Sequence, residues 1–101
     1  MTDFHAFNSR HRRLAILRFL EVSAAYTSNV SILTDVLNSD QIGINTTRDQ
    51  TATELAWLAE TGFVTLSGRD DFRVATATAR GIEIALGRAT HPDIQRPGPR
   101  G

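Results

Sequence analysis

Cysteine is absent from the 101-residue chain. That excludes disulfides, thiol nucleophiles and cysteine-ligated metals together. Lysine is absent as well, so all eleven basic residues are arginines. No run of about 18 apolar residues occurs, which excludes an ordinary membrane-spanning helix. The polar segment from Met1 to Asn8 lacks the apolar stretch of a secretory signal. Net charge is also missing: eleven arginines stand against eleven acids, so the total does not mark a strongly basic nucleic-acid binder. Phosphate-binding glycine loops, dinucleotide-binding glycine motifs and zinc signatures are not found. His5, His11 and His91 are far apart and lack metal-ligand spacing. The adjacent Asp70 and Asp71 have no nucleophile or oxyanion site beside them and read as turn chemistry. The expectation is a protein that is no enzyme, with no metal and no cofactor.

The composition, 41% hydrophobic and 22% charged, is that of one ordinary globular domain with a single core. Its charges are unevenly spread. Residues 1–22 hold four arginines and two acids, residues 23–67 one arginine and five acids, and residues 68–101 six arginines and four acids. Two basic ends around an acidic middle suit a directional surface or self-association of unlike patches. Arginine's planar fork fits phosphate or carboxylate, although GC-rich codon usage accounts for the same bias.

Helical spacing of Leu14, Ile16, Leu17 and Leu20 predicts a first helix over 10–22, capped by Asn8 or Ser9. Residues 24–27 read as a connection. Ser28 or Asn29 opens a second helix carrying Val30, Leu33, Val36 and Leu37, and Asn38-Ser39-Asp40 ends it. Ile42 and Ile44 are expected to tuck into the core from a glycine-containing loop, as a fragment of strand. Asn45 or Thr46 caps a third helix running to about Thr61, with Thr51, Leu55 and Leu58 inward and Gly62 as terminator. Trp57 reads as a partly buried packing residue. Residues 63–66 and 72–76 predict a hairpin with its tip at 68–71. Thr78 caps a last helix over 79–88, weakened by Gly81 and Gly87. The expected organisation is a flexible 1–8, a domain over 9–89, and an extended proline-containing tail over 90–101. The fold class is mainly α with a β-hairpin: a winged helix-turn-helix with a three-helix core, a two-stranded wing and a C-terminal helix.

The words Thr47-Arg48-Asp49-Gln50, Glu54-Leu55-Ala56-Trp57-Leu58 and Gly62-Phe63-Val64-Thr65-Leu66 resemble a family of small proteins of Mu-like phages and prophages. So do the opening Arg12-Arg13-Leu14-Ala15-Ile16-Leu17-Arg18 and the closing Arg80-Gly81, Gly87-Arg88-Ala89 and Arg96-Pro97. The resemblance covers about residues 9–97. It implies a winged-helix, ArsR-like transcriptional regulator in the cytoplasm of a bacterial host cell. The chain departs from metal-sensing regulators of that kind, which bind metal through cysteines.

In such a fold the third helix reads the major groove from its first turn and outward face. Thr46, Thr47, Arg48 and Gln50 at its start, and Thr53 on its outer face, are the candidate DNA contacts. A helix N-terminus favours phosphate, and glutamine can pair with adenine. Arg69 and Arg73 at the hairpin are candidate wing contacts to backbone or minor groove. The alternatives are plain capping for the threonines and a solvated turn for the wing. Asp49 and Glu60 on the outward face oppose phosphate. Arg10, Arg12, Arg13 and Arg18 form the densest basic cluster, open to phosphate contact, to a dimer face or to plain solvation. Double-stranded DNA and a second copy, docked through the first and last helices, are the expected partners. A protein-interaction module that binds no DNA is the competing expectation.

Overall fold

Asp3 starts the first helix. Its carboxylate accepts hydrogen bonds from the backbone of His5 at 3.0 Å and Ala6 at 3.3 Å, satisfying two amides that have no partner inside the helix. Helix α1 therefore runs Phe4–Glu21. The cap expected at Asn8 or Ser9 is corrected, and Phe4 to Asn8 are helical rather than an irregular lead-in. The computed structural model describes residues 3–69 and 72–98. Asp70 and Asp71 of the expected hairpin tip, and Pro99 of the tail, lie outside the described residues.

After α1 a single 3₁₀ turn, Ala24–Tyr26, leads into a short strand β1, Thr27–Asn29. Ala25 and Tyr26 both take the left-handed backbone region, which sharply redirects the chain. Asn29 caps α2, Val30–Asn38, by accepting from the backbone of Ile32 at 2.9 Å. Asn38 then fastens the following turn. Its amide donates to the carbonyls of Thr34 and Thr46, and its oxygen accepts from the Thr46 backbone, each at 2.8 Å. The turn contains no strand, and Ile42 is exposed rather than tucked in.

Helix α3, Arg48–Glu60, begins one residue later than Thr46 would allow. Thr47 and Gln50 form a reciprocal capping box, with bonds of 3.1 Å and 2.9 Å. The hydroxyls of Thr34 and Thr51 share a 2.8 Å hydrogen bond inside the α2–α3 contact, so neither leaves a buried polar group unpaired. Gly62, at φ +85°, closes α3 and turns the chain into β2, Val64–Ser67, and β3, Val74–Ala77. Thr78 caps α4, Ala79–Ala85. A side chain at Gly81 would collide with the carbonyl of Phe63. This glycine weakens α4 locally yet permits its close approach to the start of β2.

The expected hairpin of β2 and β3 is present, but it is not the whole sheet. The three strands form an antiparallel sheet ordered β1-β3-β2. Thr27 pairs with Thr76 on one side of β3, and Thr65 pairs with the same residue on the other. The correction has a plain reason: β1 is three polar residues, too short to show a period of two. Alternation along β3 sends Ala75 and Ala77 into the core, where they join Leu17, Leu20, Leu33, Leu37, Leu55, Leu58 and Val64. The result among the described residues is a mostly helical fold of four α-helices around a small sheet.

Residues 90–98 are not an extended tail. Ile94 is 3% exposed and part of the core. Gln95 donates its backbone N–H to the Arg10 carbonyl at 3.1 Å, and the Arg13 guanidinium donates to the Asp93 carbonyl at 2.9 Å. A single apolar residue carries no periodicity, so this strap across α1 has no signature in the sequence.

Candidate nucleic-acid interface

The start of α3 separates the sequence candidates. Thr47 and Arg48 are exposed there, and Gln50 is half-buried. The oxygen of the Gln50 side chain is committed to the capping box, which leaves its amide NH2 uninvolved in that motif. Thr46 is corrected to an inward position. It is 6% exposed, donates its hydroxyl to the Ile44 carbonyl at 2.6 Å and accepts from Arg12 Nε at 3.1 Å. Thr53 is exposed, with its hydroxyl bonded back to the Asp49 carbonyl at 3.0 Å. Asp49 and Glu60 are exposed on the same helix.

The β2–β3 hairpin approaches this helix start. Arg48 lines a shallow depression with Asn29 and Ser31 from the beginning of α2 and with Phe72 and Val74 from the hairpin. The fold thus brings two helix N-termini and one side of the hairpin to a common surface. Val30 donates its backbone N–H to the Arg73 carbonyl at 3.3 Å, so Arg73 also sits at the start of α2 and is half-buried. Arg69 is exposed but does not line the depression. Phe72 is 83% exposed, although its sequence context reads as the first residue of a strand. That Phe72 shares this depression with the exposed Arg48 is a placement that sequence reasoning missed. Its only signal was its place just before the alternating strand residues.

The first-helix arginines, left open to phosphate contact, a dimer face or solvation, do not share one environment. Arg12 is 3% exposed and lies between α1 and the start of α3. Besides Thr46, it reaches the Asn45 carbonyl at 3.5 Å. Its Nη1 stands 3.6 Å from Glu54 Oε2, within ion-pair range but too far for a hydrogen bond, and has no hydrogen-bond partner. Arg13 meets the other carboxylate oxygen of Glu54 at 2.9 Å. Its guanidinium carbon lies 3.9 Å from the centre of the Trp57 ring. His91 presents an edge to both Trp57 and Phe63, at 5.2 and 5.7 Å between ring centres. Two cations on one buried carboxylate, with an aromatic plate and a backbone carbonyl, lock α1, α3 and the strap together. The same bonds hold the turn before α3, so Arg12 positions the candidate interface without belonging to it. The signal was available: Arg12 lies four residues before Ile16 and eight before Leu20, on the row that packs inward.

Elsewhere, a groove of about 650 Å³ runs beside α1. Its walls include Leu14, Ala15, Phe19, Val22, Val36, Ile42 and Ile44, with His11 and Arg18 among the polar members. Partial burial, and secondarily the charge of Arg10, holds the His11 imidazole below its ordinary pKa of 6.5. Among the described residues, no helix is long and apolar enough to cross a membrane, and no three His, Asp or Glu side chains are grouped to hold a metal.

No family model matches the chain, and no solved structure matches it. Two relatives do. One, from Escherichia phage Mu, is named "Uncharacterized protein gp26" and is 43% identical over 89 residues, covering 88% of this chain and 90% of the relative. The other, from Haemophilus influenzae, is named "Uncharacterized protein" and is 37% identical over 84 residues, covering 82% of this chain and 79% of the relative. In both cases the match covers more than three quarters of each protein. The chain belongs to the family of the phage Mu protein gp26.

Proposed function

We propose that this protein is a non-catalytic winged-helix DNA-binding protein, a transcriptional regulator of the ArsR-like kind, acting as a homodimer in the host cell. The observation that carries the reading is the common surface where the start of α3, the start of α2 and the wing meet around Arg48 and Phe72. Helix N-termini supply oriented N–H groups for phosphate. Arg48, with Arg69 and Arg73 flanking the wing, supplies charge. Thr47, Gln50 and Thr53 supply polar groups for base edges. Phe72 supplies an apolar wedge of the type that minor-groove binders insert between base steps. The first and last helices are the proposed dimer surfaces, which would impose paired half-sites on the DNA.

One observation favours a second reading, a protein-interaction module. The outward face of α3 carries Asp49 and Glu60, and the net charge is zero. Binding to random-sequence duplex DNA, titrated at low and then raised salt, separates the two. The DNA reading expects salt-sensitive binding that Arg48→Ala and Arg69→Ala weaken. Absence of binding at low salt, with both variants folded, overturns it in favour of the interaction module.

A further inference from the structure

The polar side chains at the start of α3 are not equivalent, because the helix uses part of each for its own hydrogen bonds. Gln50 is the clearest case. Its side-chain oxygen accepts the Thr47 backbone N–H at 2.9 Å. A backbone N–H only donates, so the atom facing it is the oxygen, and this contact settles which way the amide points. The NH2 end takes no part in the capping box. Thr47 follows the same pattern. Its hydroxyl oxygen accepts the Gln50 backbone N–H at 3.1 Å, which leaves its own proton to donate. Arg48, between them in sequence, carries donors alone. Thr53 is the reverse: its hydroxyl donates to the Asp49 carbonyl at 3.0 Å, so only its lone pairs remain. The first turn of α3 therefore offers donors, and an acceptor follows one turn later.

Base edges sort by the same property. In the major groove guanine shows two adjacent acceptors, N7 and O6, whereas adenine shows an acceptor beside a donor. The usual pairing of glutamine with adenine needs its oxygen and its NH2 side by side on that edge. With the oxygen turned back onto Thr47, that pairing requires the capping bond to break. An NH2 offered alone meets the N6 donor of adenine as like against like, and meets two acceptors on guanine. From this we infer that Gln50 selects guanine rather than adenine, and that the capping box sets the preference. The inference rests on the DNA-binding reading above and assigns the base that the start of α3 accepts.

The test uses Gln50→Glu. Glutamate completes a capping box as glutamine does, and its charge suits a helix N-terminus. The variant is therefore expected to fold, with a thermal midpoint at or above that of the parent, while it offers no donor to a base. Bound sequences are selected from a random duplex pool with the parent and with the variant. The position whose base preference differs between the two is the one Gln50 reads, and guanine is expected there for the parent. That guanine is then replaced by 7-deazaguanine, which lacks the N7 acceptor and keeps its Watson–Crick edge. The parent is expected to lose affinity by about 10-fold, and Gln50→Glu by less than about twofold. Each loss is a ratio measured on one protein, so the uniform weakening that an added negative charge brings through the phosphates cancels. A base other than guanine at the differing position overturns the inference while DNA binding stands. So does the absence of any differing position, or an equal loss in both proteins. If the parent binds no duplex at low salt, the DNA reading itself falls and the inference with it.

Discussion

Two groups of arginines in this molecule look alike in sequence and live in different solvents. Arg12 and Arg13 are drawn inward by Glu54 and sit against Thr46, Trp57 and the strap. Arg48 and Arg69 stand at the start of α3 and beside the wing, exposed to water. Arg12 and Arg13 turn inward because Glu54 waits for them across the fold, since a buried guanidinium without a carboxylate is prohibitively costly. Density of basic residues along the chain is therefore a poor guide to a phosphate-binding face. The densest cluster turned out to be partly structural, while Arg48, alone in its stretch of sequence, lines the candidate interface.

That contrast can be broken most forcefully at its acid. Glu54→Leu leaves two cations facing an apolar neighbour, one of them fully buried. Unfolding free energy should drop by about 3–5 kcal/mol, as when one partner of a buried pair is removed. Chemical denaturation measures it, and a loss below about 1 kcal/mol would show that the pair is solvated in practice. Next in size is the strap that covers the buried group. Ile94→Ala should cost about 2–3 kcal/mol, at the low end for a core truncation because Ile94 is the one buried residue among 90–98 and the segment can adjust. Its second consequence is increased hydrogen exchange at the Gln95 amide, now bonded to Arg10. An Ile94→Ala protein as stable as the parent would place the strap outside the cooperative unit.

The exposed group should respond in the opposite way. Arg48→Ala and Arg69→Ala should change stability by no more than about 0.5 kcal/mol, the usual range for surface positions. A loss as large as that of Glu54→Leu would erase the distinction between the two groups. The smallest effect concerns His11, which lies between them in character. Its folded pKa is depressed below 6.5 by burial and by Arg10. The neutral ring is therefore favoured in the folded state. Its contribution is fully present above the unfolded value and is lost as pH falls from about 6.5 toward the folded value. His11→Asn should flatten a slight decline in stability over that window, seen by comparing thermal midpoints at pH 7 and pH 5.5.

Much of the fold was written locally. Leu14, Leu17 and Leu20, then Val30, Leu33 and Leu37, then Leu55 and Leu58 announce three helices by spacing alone. Asn29, Thr78 and Gly62 mark element ends by their own chemistry. The start of α3 was legible only to within a residue or two, because several capping residues stand in a row: Asn45 or Thr46 was expected and Thr47 is the cap. What the sequence could not determine depends on groups that meet only after folding. The carboxylate that holds Arg12 inside belongs to Glu54, more than forty residues away and on another helix. Strand β1 exists because β3 has an open edge to pair with. The strap exists because Ile94 finds a vacancy in a core assembled from distant elements. Spacing and caps are short-range and survive in one dimension. Burial of a charge, closure of a sheet edge and docking of a lone apolar residue are long-range, and only the tertiary structure decides them.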